Sequence, residues 1–314
     1  MTNQSKKSFF QGIETGIEDD LMDFTFNKKL VVNVAPTGAF VNRKENPHQP
    51  YSPDEIAKAV IDSYQEGATM WHVHCRDEEG YPSSAPDLVI RTIDKVMAEC
   101  PDIITSLNVT ADTSKQGVEQ IKPLAEPLSK AGSKYIQTAV IPPCSRKRGV
   151  MTKPLLQEII SYLQDIGVRP EFQIHHYEAL TNVINWLIKP GILKEPPIMN
   201  IILGHHGWAF SAPTNPTQWS VIYYITMKNL LPENSIIGTT VGGYNWLPMT
   251  VAGIILGTDC VRVGMDDTLW MYPNSQEKIT DCADVVKKVA RISQEMGRLL
   301  ATPQEAMDIL GLKA

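Results

Sequence analysis

The sequence predicts an α/β protein: a single (β/α)8 barrel of the TIM type with an N-terminal extension. Three observations predict it. Eight short apolar runs alternate with segments of helical pattern, each run leading into one. No composition break, internal repeat or low-complexity stretch divides the 314 residues, so residues 29–314 read as one domain behind an extension over residues 1–28. The competing fold, an open doubly wound sheet, calls for a G-x-G-x-x-G turn after its first strand. Pro36-Thr37-Gly38-Ala39 stands there instead.

The elements follow in order. Lys29–Ala35 is a short β-branched run and predicts a buried strand. Residues 42–51 are polar and carry proline, as a long loop does. Ser52-Pro53-Asp54-Glu55 opens a helix, with Ser52 as N-cap, Pro53 in the first turn and Glu55 closing a capping box. Ile56, Ala59, Val60 and Tyr64 form its apolar face and Gly67 ends it. Strand two is Ala68–His74, followed by a helix from Pro86 to Glu99. Strand three is Ile103–Val109, with a helix over about 114–131. Strand four is Tyr135–Val140, with a helix over 152–166. Strand five is Pro170–His175, with a helix over 179–189. Strand six is Met199–Gly204, with a helix over 216–229 capped by Asn215. Strand seven is Ser235–Val241, with a helix over 247–256. Strand eight is Cys260–Gly264, with a long amphipathic helix over about 277–296. Thr302-Pro303-Gln304-Glu305 repeats the capping pattern and opens a short last helix.

Composition narrows the function classes. A hydrophobic fraction of 43% supports a sizeable core, and 20% charged residues is ordinary for a soluble protein. A net charge of −6 speaks against a nucleic-acid partner, which would need a basic stripe. The five cysteines, Cys75, Cys100, Cys144, Cys260 and Cys282, are widely spaced and form no CxxC, so neither a disulfide framework nor a zinc ribbon is expected. A reducing cytoplasm is the default location. Residues 1–20 lack the apolar centre of a signal peptide, and no run of 18 apolar residues predicts a membrane span.

A barrel of this kind carries its active site at the C-terminal ends of its strands. Six of the seven histidines fall there: His72, His74, His175, His176, His205 and His206. His72 and His74 are two apart on one strand and share a face, so both imidazoles can reach one divalent metal. An H-x-H alone also reads as two polar residues closing a strand. A carboxylate from another strand end would complete the site, and Asp266 and Asp267 are the carboxylates nearest the end of strand eight. One can ligate a metal while the other acts as a base. Arg262 precedes them and suits a carboxylate or an enolate, or a local ion pair. Other strand ends contribute Thr37, Asn108, Thr110 and Gln137 as substrate contacts. Arg146-Lys147-Arg148 reads as a solvated loop or a phosphate cluster.

Together these pieces resemble the β-keto acid cleavage enzyme family. The resemblance is carried by Ala35-Pro36-Thr37-Gly38-Ala39, by the run from Gly67 to Gly80 around His72-Val73-His74-Cys75-Arg76-Asp77, by Tyr177-Glu178 and Leu203-Gly204, by Val261-Arg262-Val263-Gly264-Met265-Asp266-Asp267, and by the tail from Glu295 to Pro303. It spans roughly residues 29–312. It implies a (β/α)8 barrel assembled into homotetramers, with one Zn2+ per active site held by His72, His74 and Asp266. It implies Asp267 as the base, supported by Arg262. The implied reaction joins a β-keto acid to acetyl-CoA and yields acetoacetate and a new acyl-CoA. Three positions depart from the family pattern. Asp266 stands for a glutamate, one methylene shorter, so that either the metal position shifts or another group such as His176, His205 or water assists. Phe40 stands for a glutamate that recognises a substrate ammonium, which implies a substrate tail without that charge. Asn108 stands for a serine. The alternatives are another metal-dependent barrel hydrolase, a class II aldolase-like lyase, or a binding protein without turnover.

Overall fold

The computed structural model describes residues 28–109, 115–144, 151–204 and 217–313. Eight parallel strands close into a barrel. They are β1 (Val31–Val34), β2 (Met70–Val73), β5 (Ile104–Asn108), β6 (Thr138–Ile141), β7 (Arg169–Ile174), β8 (Ile198–Leu203), β9 (Ile236–Val241) and β10 (Cys260–Val263). β1 pairs with both β2 and β10, which completes the ring. A two-stranded antiparallel hairpin, β3 (Cys75–Arg76) with β4 (Pro82–Ser83), rises from the end of β2.

The helices between strands are α1 (Pro53–Gln65), α2 (Pro86–Glu99), α3 (Lys122–Ala131), α4 (Lys153–Asp165), α5 (Tyr177–Asn182), α6 (Thr217–Asn229) and α7 (Trp246–Ile255). α8 (Cys282–Glu295) and α9 (Pro303–Leu310) follow β10. The expected capping boxes form at Ser52–Glu55 and Thr302–Glu305. Three helices differ from expectation. α3 begins at Lys122, behind a separate 3-10 turn at Gly117–Gln120, with Pro123 in its first turn, where proline is best tolerated. α5 runs into a π-helical turn, Val183–Ile188. α8 starts only at Cys282, behind the N-cap Asp281, whose carboxylate accepts from Ala283 N at 2.9 Å.

The barrel interior changes character along its axis. At the N-terminal end Val31, Met70, Ile104, Ile198 and Cys260 form an apolar layer, packed on Ala306 and Leu310 of α9. Two residues further along the same strands stand Asn33, His72, Ser106, Asn200 and Arg262, all buried. Side chains two apart share a face, so the centre of the barrel is polar. Buried polar groups of this kind cost stability and usually serve a site.

Arg298 closes the N-terminal end. Its buried guanidinium donates to the carbonyls of Lys28 (2.9 Å), Ile254 (3.3 Å) and Thr258 (2.6 Å). Arg298→Met strands these carbonyls, and urea unfolding should show a loss of about 1–3 kcal/mol. An unchanged midpoint would contradict this closure.

Candidate active site

The C-terminal mouth is assembled from the ends of β10, β1 and β2. β10 gives way to Gly264, whose φ of 139° is open only to glycine without strain. A Cβ there would overlap the Ala35 carbonyl. This close approach lets Ala35 N donate to Val263 O (2.8 Å) and Asp266 N to Ala35 O (3.0 Å). The loop after β10 is thereby pinned to β1, and Asp266 and Asp267 are turned inward. Both are almost fully buried, as is Arg262.

The two aspartates diverge, as adjacent residues do. Asp267 accepts a forked pair of hydrogen bonds from Arg262, Nε to Oδ2 at 2.9 Å and Nη2 to Oδ1. Asp266 keeps a looser contact with Arg262 Nη2, 3.5 Å from Oδ2. Burial opposes the Arg262 charge. The Asp267 and Asp266 carboxylates outweigh it and hold the guanidinium above its usual range.

Asp266 Oδ2 lies 3.8 Å from Nε2 of His72 and 3.8 Å from Nε2 of His74. The two imidazole rings are 5.0 Å apart at an interplanar angle of 73°. One ligand atom from each of His72, His74 and Asp266 lies within 4.8 Å of the others. Ligands about 2.0–2.2 Å from a tetrahedral zinc stand roughly 3.4 Å apart, so a small inward movement would suffice. Burial pushes the His74 imidazole below its usual range, with Asp266 opposing, and favours the neutral form that ligates metal. Asp266 Oδ1 is buried with no hydrogen-bond partner among the described residues. Two imidazoles, one carboxylate and an unsatisfied carboxylate oxygen fit a divalent cation with an open position.

The remaining residues singled out in the sequence divide. Asn108 reaches the site, with Nδ2 2.8 Å from His74 Nε2. Thr37 is fully buried, and its hydroxyl accepts from Arg76 Nε (2.8 Å) and Gln49 Nε2 (3.0 Å), so it supports the loop after β1. Gln137 requires a correction. β6 starts at Thr138, so Gln137 sits at the opposite end of the barrel. There its Oε1 accepts from Thr105 N (3.0 Å) and its amide approaches Met307 of α9. The strand boundary was read three residues early, which inverted its placement. Phe40 is 38% exposed in the loop after β1. Among the other histidines, His175 is buried and His176 half-buried at the start of α5. Neither belongs to the metal-ligating group. Thr110, His205, His206, Arg146-Lys147-Arg148 and the extension up to residue 27 lie outside the described residues.

Glu171 was missed. It is buried inside the barrel, accepting from Ser106 Oγ (2.8 Å), Thr138 Oγ1 (3.0 Å) and Asn200 Nδ2, and its charge helps hold the Arg262 proton. The sequence did carry a signal: a lone acid in the apolar-patterned run Arg169–Ile174, two residues before Gln173 and four before His175.

Comparison with known proteins supplies a lineage. A family profile described as "beta-keto acid cleavage enzyme" matches residues 29–312. The chain is 26% identical to 3-keto-5-aminohexanoate cleavage enzyme of Acetoanaerobium sticklandii, over 91% of this chain and 99% of that protein. It is 23% identical to 3,5-dioxohexanoate:acetyl-CoA acetone transferase of Paraburkholderia graminis, over 91% and 96%. It is 24% identical to 3-oxoadipate:acetyl-CoA acetyltransferase of Cupriavidus necator, over 90% and 94%. Among solved structures, ObcA with oxaloacetate superposes with a TM-score of 0.67 at 17% identity, covering 85% of this chain and 68% of that one. That likeness speaks for the barrel fold.

Proposed function

The chain belongs to the β-keto acid cleavage enzyme family, and from that premise we propose that it is an acyltransferase joining a β-keto acid to acetyl-CoA. The products are acetoacetate and a new acyl-CoA. The observation that carries the reading is the meeting of His72, His74 and Asp266 beside the Arg262–Asp267 fork.

His72, His74 and Asp266 would hold one divalent metal, with Zn2+ the best match to the donor set. Bound there, it supplies Lewis-acid activation of the β-keto acid. Asp267 takes the proton from the carbon between the two carbonyls. Arg262 fixes the orientation of Asp267 and offers positive charge to the enolate that forms. The enolate carbon attacks the acetyl thioester and expels CoA thiolate. The thiolate attacks the remaining keto carbonyl, the carbon–carbon bond breaks, and acetoacetate departs with its new carbon–hydrogen bond. Burial of His72, Asp266 and Asp267 keeps bulk water from the thioester. Asn108 beside His74 contacts the substrate or orients the imidazole. Thr110 is the further substrate contact this reading calls for. Phe40 replaces a charged contact to the substrate tail, so an uncharged or apolar tail is the expected class.

The named relatives act on different keto acids, so the acyl group is set outside the shared core. The enzyme is expected to work as a homotetramer in the cytoplasm. No helix among the described residues is long and apolar enough to cross a membrane. The extension over residues 1–28 lies ahead of the catalytic barrel.

A panel of β-keto acids incubated with acetyl-CoA and Zn2+, read by mass spectrometry for new acyl-CoA esters, tests the assignment. Neutral-tailed substrates should give product in preference to ammonium-tailed ones. Hydrolysis or aldol cleavage without any acyl-CoA would point to a metal-dependent hydrolase or a class II aldolase-like lyase.

A further inference from the structure

Arg76 follows His74 by two residues and takes no part in the chemistry above. It is buried, and no carboxylate stands at ion-pair distance from it among the described residues. Burying a cation in this way is costly and calls for a reason. Its donors all go to two neighbouring loops. Nε donates to Thr37 Oγ1 at 2.8 Å and Nη1 to Gly80 O at 2.7 Å, while Nη2 donates to the carbonyls of Gly38 and Val41. The Tyr51 ring covers the guanidinium, with its centroid 4.9 Å from Cζ. Arg76 therefore sets the height of the Thr37–Val41 loop.

That loop has a defined neighbour. A Cβ added to Gly38 would overlap Oδ1 and Cγ of Asp266. The Gly38 backbone is thus a wall behind the carboxylate, while Asp266 N is anchored on the far side to Ala35 O at 3.0 Å. The wall leaves Oδ2 one direction in which to face, towards His72 and His74, at 3.8 Å from each. We propose that Arg76 is the positioning residue for Asp266: it seats the Gly38 backbone against the carboxylate and so sets the third ligand of the metal centre. The inference rests on the metal reading given above. Arg76 touches neither metal nor substrate in this role. It acts through the loop.

Cobalt is the probe, because the visible absorption of Co2+ reports ligand geometry. The full-length wild type, Arg76→Lys, Arg76→Met, Gly38→Ala and the Gly38→Ala/Arg76→Lys double variant are freed of metal and titrated with Co2+. Circular dichroism confirms the fold of each. Arg76→Met should weaken Co2+ binding about 10–100-fold and shift its absorption bands. Arg76→Lys should do so by a smaller factor, since one ammonium cannot hold all these acceptors. Gly38→Ala should produce the same kind of shift. The double variant should lose less than the product of the single losses, because both changes move one wall. If Arg76→Met does not fold, Arg76→Lys decides by the same titration. Unchanged affinity and spectrum in a folded Arg76 variant, or losses that simply multiply, would overturn the proposal. Tight wild-type binding with indifferent Arg76 variants removes only the role of Arg76. A wild type that takes up no Co2+ overturns the metal centre itself.

Discussion

His72→Ala and His74→Ala are each expected to abolish stoichiometric metal binding, and turnover with it. The proposed centre would have three protein ligands, the minimum for an open catalytic zinc site. The two imidazoles and Asp266 already stand within 4.8 Å of one another. Either substitution leaves two ligands and a gap in a buried polar cavity. The fold should persist, because neither imidazole belongs to the apolar cores that hold the strands together. Metal analysis after dialysis, with thermal unfolding as a control, reads the result. A folded variant that retains one equivalent of metal would remove that histidine from the site.

Asp267→Asn should keep the metal and lose turnover by about 10²–10⁴-fold, the usual contribution of a general base. It carries a second effect that separates it from the histidine variants. Arg262 is buried, and its forked partner is Asp267. Neutralising that partner leaves the guanidinium with Asp266 alone at 3.5 Å. Breaking a buried pair from one side costs about 3–5 kcal/mol. The variant should therefore unfold at lower denaturant while its metal content stays at the wild-type level. Full activity in Asp267→Asn would exclude it as the base.

The barrel was legible because its signal is repeated eight times. β-branched runs, capping residues and helix-ending glycines each agreed with the same topology, and agreement across levels carries more weight than any one of them. Boundaries were less legible, and Gln137 shows the cost. Reading strand four from Tyr135 moved one glutamine from the floor of the barrel to its mouth. Spacing within a short run carried over: His74 falls one residue past β2, and its ring still meets that of His72. Spacing across elements was not readable. The distance from Asp266 to either imidazole depends on the tight passage of Gly264 past Ala35 and of Gly38 past Asp266, both set by backbone packing. The polar interior was written in the sequence as single polar residues inside apolar runs. Ser106, Glu171 and Asn200 come from three different runs and meet inside the barrel.

In the proposed reaction the acetyl group of acetyl-CoA becomes part of acetoacetate while CoA passes to the substrate's own acyl group. Acetyl-CoA labelled with carbon-13 at the acetyl carbonyl follows both halves in one reaction. The chain predicts label at the keto carbon of acetoacetate, with an equal amount of unlabelled new acyl-CoA. Label recovered in acetate, or acetoacetate formed without label, would contradict it.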